Sequence, residues 1–138
     1  MLQKTTPPFI SIDRPSSRLA QILVAASGVF FVLAALALLF APRRFFENIG
    51  FFPPYNRHYE GDLGALLFAI GAGLLYAARS PAKHRLVITV AALGSALHAL
   101  NHIFDGIPAS YSLTHWLADT APLVLSAVLL VAALRATK

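Results

Sequence analysis

Long uncharged blocks separated by short polar links organise this chain. Leu19 to Phe40 runs for 22 residues without a charge, enough helix to cross a hydrocarbon core of about 30 Å. Comparable apolar stretches run from 59 to 78, 86 to 104 and 116 to 134. The pattern predicts one integral membrane domain, an all-α bundle of four transmembrane helices. Residues 1–17, polar and carrying Pro7, Pro8 and Pro15, read as a mobile tail.

The longest link, from 42 to 57, mixes Phe45, Phe46, Phe51, Phe52 and Tyr55 with Arg43, Arg44 and Glu47. Aromatic rings among charges suit the headgroup layer, so a short interfacial segment is expected between the first two spans, broken at Gly50 and Pro53-Pro54. A membrane anchor is the simpler reading of these rings, and a ligand lid the rarer one. The second span is rich in small residues (Gly61, Gly64, Ala65, Ala69, Gly71, Ala72, Gly73), and the third carries Ala91, Gly94, Ser95 and Ala99. Small residues let helix backbones approach closely in lipid. This predicts tight packing of the second span on the third. Pro122 in the fourth span removes a backbone donor, and a kink there is expected to turn His115 and Asp119 inward.

Composition sharpens the membrane reading. The chain is 57% hydrophobic and 12% charged, about half the charged share of a soluble domain. The first block exceeds a typical signal-peptide core of about 7–15 residues, so a retained span is expected. Lys4, Arg14, Arg18, Arg79, Lys83, Arg85, Arg135 and Lys138 flank one side of the bundle, leaving only Arg43, Arg44 and Arg57 on the other. The positive-inside rule then places both termini in the cytoplasm of a multi-pass cell-membrane protein. Its net charge of +5 follows from that topology and makes no case for nucleic acid. The expected partner is the lipid bilayer, with a second copy or another membrane protein left open. Cysteine is absent and Met1 is the only methionine, which excludes disulfides and sulfur ligands.

Four of the five histidines lie with Asp62, Asp105 and Asp119 on the side opposite the termini. His58 precedes Asp62 by four residues, His98 precedes His102 by four, and His115 precedes Asp119 by four. That spacing stacks two side chains on one helix face. Ionisable groups at the edge of a membrane span are costly and usually functional, and Asp62 and His98 lie deep enough to be expected inside the bundle. The residues suit a divalent metal, zinc first and copper or another transition metal after it. The expected ligands are His58, Asp62, His98 and His102, with Asp105, His115 and Asp119 orienting the ring nitrogens. Such a site can support hydrolytic or redox chemistry on a lipid-soluble substrate. The competing readings are a non-catalytic subunit whose polar residues lock the bundle, and a proton or small-ligand pathway. Ser110, Ser112 and Thr114 read as loop and cap residues.

Two segments carry a resemblance. Tyr55-Asn56-Arg57-His58, followed by Asp62-Leu63-Gly64-Ala65, and the later His98 and His102 with Asp105 after them, resemble paired motifs of small four-span bacterial membrane proteins common in actinobacteria. Those proteins have Tyr-Asn-x-His-x-x-x-Asp-x-Gly-Ala and His-x-x-x-His-x-x-His, so Asp105 stands where their third histidine falls. The Pro42-Arg43-Arg44-Phe45-Phe46 run is similar to their Pro-Arg-x-Phe-aromatic link. The resemblance implies four spans and groups His58, Asp62, His98 and His102 together. It implies no particular activity.

Overall fold

The computed structural model describes residues 17–137, so the predicted tail lies almost wholly outside the described residues. Helix α1 (Arg18–Phe40) starts at Ser17, whose hydroxyl accepts the Ala20 N–H. It stops before Pro42, which instead opens the short helix α2 (Pro42–Asn48) in the first-turn position that proline tolerates. Helix α3 (Arg57–Ala77) is capped by Asn56, whose side chain accepts the backbone N–H groups of His58 and Tyr59. Helix α4 is Arg85–Gly106. The last helix, α5 (Leu113–Ala136), contains a π turn at Trp116–Thr120, where the Ala121 N–H reaches back to the Trp116 carbonyl.

α1, α3, α4 and α5 are each long and apolar enough to cross a membrane. Their outward faces carry large apolar side chains such as Leu33, Leu66, Val90, Leu93 and Leu125. An exposed apolar surface of this extent is incompatible with water and suits lipid. The protein is therefore a multi-pass membrane bundle, with α2 as the short segment between the first two spans. Phe46 is buried in that segment, against Phe51 and Tyr55. Arg57 crosses the same link to donate to the Leu39 carbonyl at the end of α1, a placement that suits a cation at a helix C-terminus.

The packing departs from the sequence expectation. α3 lies chiefly against α1, α5 packs on both α4 and α1, and the α3–α4 contact is minor. The glycines explain the choice. A Cβ at Gly71 would stand 2.8 Å from Val32 Cγ2 and 2.9 Å from the Val32 backbone nitrogen, and one at Gly64 would stand 3.0 Å from Leu38 Cβ. Both glycines thus face α1 at backbone-contact range. Gly94 on α4 meets nothing within 4 Å. The closest glycine contacts of α3 are therefore with α1, while α4 packs chiefly on α5.

The ends where Ser17 and Ala136 meet are tied by side chains. The Ser17 hydroxyl donates to the Ala136 carbonyl at 2.9 Å, and the Arg85 guanidinium donates to the Leu134 carbonyl at 3.0 Å and to the Thr137 hydroxyl. These contacts satisfy carbonyls at the end of α5 that have no partner within the helix.

Candidate functional site

At the opposite end, the π turn shapes a buried polar cluster. Pro122 has no N–H to offer, and the extra residue of a π turn re-aims the side chains that precede it. Asp119 is 7% exposed, and the His115 side chain lies mostly buried beside it. The predicted inward turn of these two residues is what the structure shows.

Asp119 meets α4. His102 Nδ1 lies 2.5 Å from Asp119 Oδ2, and His102 Nε2 lies 2.9 Å from His98 Nε2. His115 Nε2 stands 3.6 Å from the same carboxylate oxygen, and the Thr120 hydroxyl reaches it at 3.5 Å. A carboxylate only accepts hydrogen bonds. With Asp119 ionised, His102 Nδ1 carries a proton toward it, and His102 Nε2 accepts from His98 Nε2. Two turns of α4 and one turn of α5 thus form a single hydrogen-bonded chain, His98–His102–Asp119. His115 is its neighbour, with an Nε2 buried and without a hydrogen bond to any described residue.

Aromatic rings cover the cluster. Phe52, from the link after α2, sits edge-on to His102 at 5.3 Å and to His115 at 6.3 Å between centroids. Tyr111 lies 3.9 Å from His115 and 5.9 Å from Trp116. Gly106 makes that cover fit, because a Cβ there would fall 2.7 Å from both the Trp116 and Tyr111 rings. Burial, then the charges of Asp119 and Asp105, hold the Tyr111 hydroxyl above its ordinary pKa, so it stays a neutral donor. Phe52 alone of the link's phenylalanines packs against these imidazoles, while Phe46 and Phe51 pack on each other.

The remaining predicted residues lie elsewhere. His58 and Asp62 pair with each other at 3.4 Å, with side chains 88% and 66% exposed. The expectation that Asp62 points into the bundle fails because α3 gives its glycine face to α1 and leaves the His58–Asp62 face outside. Asp105 is exposed and accepts from Asn101 at 3.1 Å, apart from the histidines. Among the described residues, no three His, Cys, Asp or Glu side chains converge in a metal-holding arrangement. Ser112 caps the start of α5 by accepting the His115 N–H, as expected of a loop serine. The sequence expected Asp119 to orient a ring nitrogen but did not say which histidine it meets, and the structure gives His102 on α4. The i, i+4 pattern reports neighbours within a helix, whereas this bond joins two.

No family model, curated protein or solved structure matches this chain.

Proposed function

We propose that this membrane protein exchanges protons through the His98–His102–Asp119 chain, on the extracytoplasmic side of a bundle whose termini are cytoplasmic. The observation that supports it is the continuous run of titratable atoms in a place shielded from water. The His102 and Asp119 side chains are 12% and 6% exposed. Each imidazole presents two nitrogens, so a proton accepted at one can be matched by release from the other. Asp119 neutralises the added positive charge, which is what makes a protonated imidazole affordable at membrane depth. His115, beside the same carboxylate, is the entry or exit partner. The basic residues around the termini support the orientation.

Proteoliposomes carrying a pH-sensitive dye test this reading. The wild-type protein should dissipate an imposed pH gradient, and Asp119→Asn and His102→Gln should lose that activity while remaining folded in detergent. Equal dissipation by wild type and both variants sinks the proposal.

A second reading is a divalent metal, zinc before copper, bound where the Nε2 atoms of His98 and His102 face each other. The buried His115 Nε2, which makes no hydrogen bond to any described residue, favours it, as does Asp119 in the orienting position behind His102. His58 and Asp62 would then take no part. Near-stoichiometric metal in purified protein, lost in His98→Ala and His102→Ala, is the expected result, and metal-free protein argues against it.

A further inference from the structure

Beyond the histidine cluster, polar groups recur at one further depth. Ser27 lies nine residues after Arg18 in α1, Ser95 ten after Arg85 in α4, and Ser126 ten before Ala136 in α5. The side-chain bonds among Ser17, Arg85, Leu134 and Ala136 hold those three helix ends level. All three serines therefore sit about 14–15 Å along their axes, close to the middle of a hydrocarbon core of about 30 Å. They are 1%, 6% and 3% exposed, on helices that pack as α1 on α5 and α5 on α4.

Their hydroxyls behave differently. Ser27 donates to the Leu23 carbonyl at 3.0 Å and Ser95 to the Ala91 carbonyl at 2.7 Å. These are the backbone bonds by which a serine hides its hydroxyl in an apolar helix. Ser126 makes no hydrogen bond to any described residue, although the same kind of backbone bond is open to a helical serine. A buried hydroxyl without a partner is costly in lipid, and the usual partner in such a place is a water molecule held by two or more polar groups. The bonded hydroxyls of Ser27 and Ser95 keep acceptor capacity, so they can supply the further contacts.

The region on either side of this level is unequal. Toward the termini, Val24, Ile88, Leu130 and Leu74 are fully buried and apolar. In the other direction, His98 stands three residues beyond Ser95 and Asp119 seven residues before Ser126. We infer that α1, α4 and α5 enclose a small hydrated pocket at the bundle midplane, centred on Ser126, which binds water and is bordered on the terminal side by the apolar side chains of Val24, Ile88 and Leu130. For its purpose the pocket rests on the proton-exchange reading, since it would carry the chain of exchangeable protons from the cluster to mid-membrane. For its existence it rests on Ser126.

The chain has no cysteine, so an introduced thiol is read without background. Ser126→Cys and Ser95→Cys are reconstituted in liposomes and moved to heavy water, and the infrared S–H band is followed, with Ser112→Cys as the exposed standard and Leu130→Cys as the sealed one. The Ser126→Cys band should vanish at least tenfold faster than that of Leu130→Cys. Persistence of the Ser126→Cys band alongside that of Leu130→Cys overturns the pocket. Should Ser126→Cys fail to fold, the same comparison with Ser95→Cys decides the matter. Thiol exchange does not require the cluster to titrate, so this result and the proton-flux result of Asp119→Asn can fail independently.

Discussion

Asp119 and Asp62 are the same carboxylate in opposite surroundings. Asp119 is held by His102 beneath Phe52, whereas Asp62 shares an open helix face with His58. Removing one partner of a buried pair costs about 3–5 kcal/mol, less where the chain unfolded in the membrane finds other partners. An exposed pair contributes about 0–1 kcal/mol. Detergent-induced unfolding should therefore show a large loss of stability for Asp119→Ala and almost none for Asp62→Ala, and equal losses would contradict the burial difference. The sequence marked both residues by the same i, i+4 histidine and set Asp62 first, as a ligand inside the bundle, with Asp119 as an orienting partner, whereas it is Asp119 that is buried. Depth along a helix can be counted from residue numbers, but the direction a side chain faces depends on which neighbour its helix chooses.

That choice belongs to the elements. The four spans were legible because uncharged length is written directly in the sequence, and their observed ends lie within three residues of the expected ones. The partner of α3 was not legible. Gly61, Gly64, Ala65, Ala69, Gly71, Ala72 and Gly73 place small residues around most of the helix, so the pattern offers several close-packing faces and selects none. The π turn was equally hidden, since it differs from a proline-ended α-helix by one backbone register. A test at this scale compares two glycines. Gly71→Ala places its methyl 2.8–2.9 Å from Val32 atoms, including a backbone nitrogen, and should destabilise by about 1–3 kcal/mol as overpacking does. Gly94→Ala enters open space and should be neutral or gain up to about 1 kcal/mol from helix propensity. Unfolding of the two variants in mixed micelles distinguishes them, and equal effects would argue against the α1–α3 seam.

For the whole molecule, topology is the property most open to direct measurement. Ser112→Cys and Thr137→Cys mark opposite ends of α5. A membrane-impermeant thiol reagent applied to intact cells should label Ser112→Cys and leave Thr137→Cys unmodified until the cells are lysed, and the reverse pattern would invert the orientation. The two ends also differ in how they are fastened. At one end, Ser17 and Arg85 clamp the end of α5 to α1 and α4. At the other end its backbone loosens into a π turn, and the ties to α4 run through the imidazoles and Asp119. The bundle is thus built like a tuning fork, with a fixed stem and tines joined by a titratable bridge. The stem is held through backbone carbonyls, so changes of side chain at the bridge bear on the tines beneath Phe52 and leave the fastening of the stem intact.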